Sequence, residues 1–67
     1  MFITLTNSSP EFRGKKIAIK KDLIVTVHRS KVIREDTTVE EVTYIFVPPH
    51  GTWEVEESLE DVMKLLK

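Results

Sequence analysis

The residue types that most often carry chemistry are few in this chain and widely spaced. His28 and His50 are its two histidines. A zinc site or an acid–base pair would need them close together beside a carboxylate, yet they lie far apart and lack an i, i+4 spacing. No serine lies in a Gly-x-Ser-x-Gly nucleophile elbow. The sequence therefore predicts one outward strand histidine, one loop histidine and no catalytic residue.

Metal and cofactor sites are likewise not predicted. The chain has no cysteine, which excludes disulfides, zinc–thiolate sites, iron–sulfur clusters and thiol nucleophiles. The acidic residues between positions 54 and 61 lack the offsets and central glycine of an EF-hand loop, and strand alternation and helix-dipole preference account for them. Gly14 and Gly51 stand alone and form no phosphate-binding loop. We therefore expect a protein that is not an enzyme and has no cofactor and no metal.

Charge is the main feature that suggests a ligand. The formal net charge is −1, but the first 34 residues sum to +6 and the remaining residues to −7. If the basic strands are neighbours, their side chains form a stripe able to contact phosphates. Against nucleic-acid binding, no aromatic residue is interleaved among these basic residues, and the pI is near 6.1. The candidate interaction residues are Lys15, Lys16, Lys20, Lys21, Arg29 and Lys31.

The elements that would position these residues belong to one small domain, residues 1–67. A chain of this length buries only about 60% of its unfolded surface, so it is marginally stable and benefits from a partner. Its apolar runs are far shorter than the ~20 residues of a membrane helix, and no signal-peptide pattern is present. We therefore expect a cytoplasmic protein without membrane insertion.

Alternating and β-branched residues predict strands at 2–6, 16–20, 23–28, 42–47 and 52–56. Turns are predicted at Asn7–Pro10, at 35–38 and at Pro48–Gly51, where prolines, glycine and short polar residues cluster. Val32 and Ile33 either extend the third strand or begin another. The predicted fold is α+β (mainly β): a small antiparallel β-meander of four or five strands with one short C-terminal helix.

The helix is predicted after Ser58, which can cap its N-terminus. Leu59, Val62, Met63 and Leu66 follow the i, i+3, i+4, i+7 pattern of an apolar helix face. We expect this face to close the core and folding of the monomer to depend on it. The residues predicted to form the core are Ile3, Leu5, Ile17, Ile19, Leu23, Val25, Val27, Val42, Tyr44, Phe46, Trp53, Val55, Leu59, Val62 and Leu66.

The order of these elements resembles a known family. The segments that carry the resemblance are Ile3-Thr4-Leu5-Thr6, the turn at Gly14, Asp22-Leu23-Ile24, Val42-Thr43-Tyr44-Ile45 and Val55-Glu56-Glu57-Ser58-Leu59-Glu60-Asp61-Val62. Together they resemble the FlbD family, also called SwrD-type small flagellar proteins, over nearly the whole chain. Two features depart from the family pattern: Pro48-Pro49-His50-Gly51 replaces an Asn-Gly-type turn, and the stretch from Val32 to Glu41 is longer and more charged.

The resemblance implies a non-enzymatic cytoplasmic accessory protein that supports flagellar motor function. Relatives of such small domains also occur in bacteriophage genomes, which implies an alternative role as a phage-encoded adaptor that binds a host protein. The first hypothesis is therefore an interaction module that binds a larger protein assembly through a sheet edge or the basic stripe, or that self-associates through exposed strand edges. The second hypothesis is a small nucleic-acid-binding domain that uses the basic strand face.

Overall fold

Five strands and one α-helix make up the structure, a computed structural model that describes all 67 residues. The strands form two antiparallel sheets, a β1–β2 hairpin and a three-stranded sheet of order β3-β4-β5. This confirms the predicted mainly-β fold with a C-terminal helix. The elements in chain order are β1 (Phe2–Thr6), β2 (Lys16–Lys20), a 3₁₀ turn (Lys21–Leu23), β3 (Thr26–Ile33), β4 (Val39–Val47), β5 (Gly51–Val55) and α1 (Leu59–Leu66).

The two sheets meet at one antiparallel bridge between Asn7 and Val55. The amide of Ser8 donates to the carbonyl of Glu54 at 3.0 Å, and the amide of Glu56 donates to the carbonyl of Thr6 at 2.9 Å. The end of β1 therefore continues along β5, and the strands follow one another in the order β2-β1-β5-β4-β3. The meander is divided because the 3₁₀ turn separates β2 from β3, which do not pair.

One hydrophobic core lies between the hairpin, the three-stranded sheet and α1. Leu5, Ile45, Val55 and Val62 have no exposed surface. Complete burial of such a side chain stabilises the fold by about 1.5–3 kcal/mol. The buried hydrophobic cluster consists of Ile3, Leu5, Ile19, Ile45, Val47, Val55 and Val62.

The predicted inward face of β4 is wrong. Ile45 and Val47 pack in the core, whereas Tyr44 is half-buried and Phe46 is 40% exposed. Val42 is buried, but it lies on the face opposite to Ile45 and outside the core cluster. The prediction failed because β4 carries apolar residues on both faces, so a period of two does not specify which face is buried.

The predicted start of the third strand is also wrong. Leu23 ends the 3₁₀ turn, Val25 precedes β3, and both side chains are exposed rather than part of the core. Strand β3 instead begins at Thr26 and continues through Ser30 to Ile33, so Val32 and Ile33 extend it. The break at Lys21-Asp22 shifts the strand start because these residues form the 3₁₀ turn.

Helix α1 follows its predicted cap. The amide of Asp61 donates to Ser58 Oγ at 3.1 Å, as expected of an N-cap serine. Val62 is the fully buried residue of the helix, Leu59 and Leu66 are half-buried, and Met63 is exposed. With eight residues, α1 is too short to cross a membrane.

The β3–β4 turn holds a residue in an unusual backbone conformation. The amide of Arg34 donates to the carbonyl of Thr38, and the amide of Thr37 donates to the carbonyl of Arg34, both at 2.9 Å. Thr37 has a φ of 68°, in the left-handed region that β-branched residues rarely adopt. Asp36 supports the turn by accepting hydrogen bonds from the amide and the hydroxyl of Thr38. These two bonds, the hydroxyl bond foremost, hold the pKa of Asp36 below its ordinary value.

Candidate interaction surface

The six candidate basic residues do not form one stripe along a sheet. Lys15, Lys16, Lys20 and Lys21 lie in or beside β2, whereas Arg29 and Lys31 lie in β3. Strand β2 pairs only with β1, and β3 pairs only with β4. The condition for a continuous stripe, that the two basic strands be neighbours, is therefore not met.

A chain of hydrogen bonds nevertheless connects Lys16 to Arg29. Lys16 Nζ donates to Thr6 Oγ1 at 2.6 Å, and this hydroxyl donates to Glu57 Oε2 at 2.9 Å. Thr43 Oγ1 donates to the carbonyl of Glu57 at 2.6 Å and accepts from Arg29 Nη1 at 2.9 Å. The basic groups of both strands thus converge on Glu57, where they stabilise the junction between the sheets and the start of α1.

Arginines and lysines differ in their partners. Arg13 pairs with Glu40 at 3.0 Å, Arg29 pairs with Glu41 at 3.3 Å, and Arg34 pairs with Glu40 and Glu54. No lysine forms an ion pair with a carboxylate. Lys16 and Lys21 donate hydrogen bonds to Thr6 and Lys67, so Lys15, Lys20 and Lys31 are the candidate lysines whose ammonium groups have no partner in the chain.

Arg34 is the centre of a charged cluster at the β3–β4 turn. Its side chain is 14% exposed, and Nη2 donates to the carbonyl of Ser8 at 3.1 Å, to Glu40 at 3.2 Å and to Glu54. Ser8 Oγ also donates to Glu54, at 3.0 Å. The charged cluster consists of Ser8, Arg13, Arg34, Glu40 and Glu54.

Hydrogen bonds within the charged cluster favour the ionised forms of Glu40 and Arg34. Hydrogen bonds from Arg34 first, and then from Arg13, lower the pKa of Glu40 below its ordinary value. The hydrogen bonds that Arg34 makes to Glu54 and Glu40 raise the pKa of its guanidinium further above its already high value. The cluster therefore joins the β1–β2 loop, the β3–β4 turn and β5 by charge-assisted bonds that the protein itself satisfies.

The two histidines lie in different environments. The ring of His28 packs against that of Tyr44, with centroids 5.4 Å apart and planes inclined by 32°. His50 follows the two prolines of the β4–β5 turn and lines a groove with Trp53. No group of three or more histidine, aspartate or glutamate side chains is placed to hold a metal ion.

Two apolar grooves lie on either side of the 3₁₀ turn. The first, of about 440 Å³, lies between the segment after this turn, β3 and α1, and Val25, Val27, Met63 and Leu66 line it. The second, of about 330 Å³, lies between β2 and the β4–β5 turn. Its principal lining residues are Phe2, Ile17, Ile19, Leu23, Val47 and Trp53.

Four large apolar side chains that line these grooves are exposed to solvent. They are between 43% and 64% exposed, and we call them the apolar surface: Phe2, Leu23, Val25 and Met63. Large exposed apolar patches rimmed by polar residues often mark interaction sites. Lys20 also lines the second groove and Lys21 the first, whereas Asp22 is the one acidic residue that lines either of them. Lys21 Nζ donates to the carbonyl of Lys67 at 2.9 Å, which brings the end of α1 beside the first groove.

The sequence pattern does not reveal this surface, because Leu23 and Val25 fit the alternation of a core strand. The available signal was Lys20-Lys21-Asp22, three charged residues in succession that interrupt the apolar pattern just before Leu23. Nor does the pattern reveal an aromatic residue beside a candidate lysine, because Phe2 is distant in sequence but is the cross-strand neighbour of Lys20.

No protein-family model matches the chain, and searches of curated proteins and of solved structures give no significant match. The resemblance to the FlbD family thus stays a prediction from the segments quoted above.

Proposed function

We propose that this protein is a non-enzymatic interaction module that binds another protein, a component of a larger assembly, through the apolar surface. The observation that carries the proposal is the exposure of Phe2, Leu23, Val25 and Met63 around two grooves. Removing such side chains from water favours association, and grooves accept the large anchoring side chains that dominate protein–protein interfaces.

The apolar surface is a better candidate than the charged cluster. Arg34 already has a backbone carbonyl and two carboxylates as partners, so a ligand would have to displace bonds that the protein makes to itself. Apolar groups in contact with water have no such competing partner. Association at the grooves therefore requires fewer internal contacts to be broken.

The flagellar motor is the assembly that the resemblance to the FlbD family favours, with the cytoplasm as the location. A phage-encoded adaptor would use the same surface to bind a host protein. Both roles belong to the same proposal, because each needs a binding surface and neither needs a catalytic residue.

The test is capture of a partner from bacterial lysate with matched double variants. Leu23→Thr/Val25→Thr makes the apolar surface polar at two exposed positions. Ile33→Thr/Val39→Thr makes the same kind of change at two exposed cross-strand neighbours far from the grooves, next to the β3–β4 turn. We expect a protein that the wild type and the control variant retain and that the L23T/V25T variant loses, with all three equally folded by circular dichroism. Equal retention by both variants would contradict the proposal.

Nucleic-acid binding is a second candidate because the fold brings aromatic residues beside Lys20, whose ammonium group has no partner in the chain. Phe2 lies across from Lys20, and Trp53 and His50 line the same groove. Bases can stack on such rings while ammonium groups contact phosphates. Binding of mixed-sequence DNA and RNA should then weaken steeply between about 50 and 200 mM salt and should weaken further in Lys20→Gln/Lys21→Gln. Absence of binding at low salt, or binding insensitive to salt, would eliminate this candidate.

A further inference from the structure

We infer that the segment bound by the apolar surface is acidic: a partner polypeptide with two large apolar side chains, one for each groove, flanked by aspartate or glutamate. The inference rests on the proposed function and adds the chemistry of the partner. The 3₁₀ turn and the residues after it run between the grooves, with Leu23 lining one groove and Val25 the other. Because the two apolar grooves are separate, we expect the partner to place one anchoring side chain in each.

The charges at the grooves favour an acidic partner. Lys20 lines one groove and Lys21 lines the other. Neither ammonium group forms an ion pair with an aspartate or glutamate; Lys21 Nζ donates to the backbone oxygen of Lys67, and Lys20 Nζ has no partner in the chain. Asp22 is the only opposing charge in either lining. Complementary charge at the rim of an interface accelerates association and selects the partner.

A second copy of this chain fits the surface poorly. In a two-fold symmetric dimer the same patch faces itself, so Lys20 and Lys21 of one copy would approach those of the other. A single Asp22 per copy does not balance these charges. Exposed acidic residues such as Glu56, Glu60 and Asp61 line neither groove, so they could complement these lysines only in a head-to-tail contact, which does not close a two-fold dimer.

A bilayer surface and a nucleic acid are also less suitable occupants. Membrane-surface binding inserts a protruding apolar face into the headgroup region. The apolar side chains here surround concave grooves instead, which a flat bilayer does not fill. Five of the seven residues that line the first groove are hydrophobic, and phosphate groups gain nothing from burial against them.

The experiment selects random peptides displayed on phage against the immobilised full chain, with counter-selection on the L23T/V25T variant. The enriched peptides should carry two large apolar residues and more acidic than basic residues. Lys20→Gln/Lys21→Gln should weaken their binding roughly three- to tenfold at low salt, since two rim charges are removed. Lys15→Gln/Lys31→Gln removes the same charge from exposed lysines outside both grooves and should change binding less than about twofold.

Each of the other outcomes contradicts the inference alone or both the inference and the proposed function. Enriched peptides that depend on Leu23 and Val25 but have no acidic excess would overturn the inference and leave the proposed function standing. Absence of any peptide that distinguishes the wild type from the L23T/V25T variant would overturn both. If the wild type sediments with phosphatidylserine-containing vesicles and the K20Q/K21Q variant does not, the ligand is a membrane surface and the inference is wrong. If DNA binds with the same dependence on Lys20 and Lys21, the ligand is a nucleic acid and the inference is also wrong.

Discussion

The charged cluster and the apolar surface show opposite relations to the rest of the protein. In the charged cluster, Arg34 is 14% exposed and binds a carbonyl and two carboxylates. On the apolar surface, Phe2 and Val25 are more than 60% exposed and line two grooves. Most polar groups of the charged cluster have partners within the fold, with buried Arg34 Nε as the exception, whereas the apolar side chains of the other region are exposed to water.

This difference indicates where an interaction surface should be sought in this domain. Charged residues dominate the sequence pattern, yet three arginines are engaged by glutamates of the same chain. Two residues that resemble a core in sequence, Leu23 and Val25, are instead exposed to solvent. Exposed apolar groups without a structural role are therefore more informative here than the conspicuous charges.

The largest loss of stability is expected at the buried core residue of α1. Val62→Ala removes two buried methyl groups from a fully buried site and should destabilise the fold by about 2–3 kcal/mol. A domain of this size has only about 3–5 kcal/mol in total, so much of the population should unfold. Leu66→Ala, at a half-buried site, should cost less, and Glu60→Ala at an exposed site should cost under ~0.5 kcal/mol. Circular dichroism melts rank the three variants, and equal melting temperatures would mean that α1 is not part of the core.

Arg34→Met tests whether the charged cluster is structural. The change should lower the melting temperature clearly, because the carboxylate of Glu54, 12% exposed, loses its cation in a poorly solvated position. Arg13→Met breaks a pair whose arginine is 49% exposed and should cost only ~0.2–1 kcal/mol. Thermal melts at neutral pH compare the two variants. If the two variants have the same melting temperature, Arg34 contributes no more to stability than the exposed Arg13, and the charged cluster becomes a candidate binding site.

The pH dependence of stability should report on the same cluster. The pKa of Glu40 is lower in the folded protein than its ordinary value of 4.5, so the unfolded chain takes up protons first as the solution is acidified. The contribution of Glu40 is complete above pH 4.5 and is lost as the pH falls through the folded-state pKa. Glu40→Gln should therefore be less stable at neutral pH and should show a smaller decrease in acid. Urea unfolding from neutral pH to about pH 2 measures this, and parallel curves would contradict it.

A smaller effect is expected at the left-handed residue of the β3–β4 turn. Thr37 has a φ of 68° and an exposed side chain, so Thr37→Gly relieves strain without loss of packing. We expect a gain of about 0.5–1 kcal/mol, partly offset by the greater freedom of glycine in the unfolded chain. Thr37→Ala retains a Cβ and should gain less. Urea unfolding of both variants decides the matter, and a loss of stability in Thr37→Gly would show that the threonine side chain supports the turn.

Local patterns made much of the fold predictable from sequence. The alternation in Phe2–Thr6 and Lys16–Lys20 specified two strands, and Ser58 specified the start of α1, because neighbouring residues determine these features. The inward face of β4 was not predictable, since both faces carry apolar residues. The charged cluster was also beyond local patterns, because Ser8, Arg34 and Glu54 meet only through the tertiary fold.

Hydrogen–deuterium exchange of the protein with its captured partner tests the central claim most directly. It measures, in one experiment, whether the partner covers the apolar surface or the charged cluster. We expect the partner to slow amide exchange in the segment from Lys21 to Val25 and at the end of α1, and to leave exchange at Arg34 and Glu54 unchanged. Slower exchange at the β3–β4 turn, with no change between Lys21 and Val25, would contradict the account.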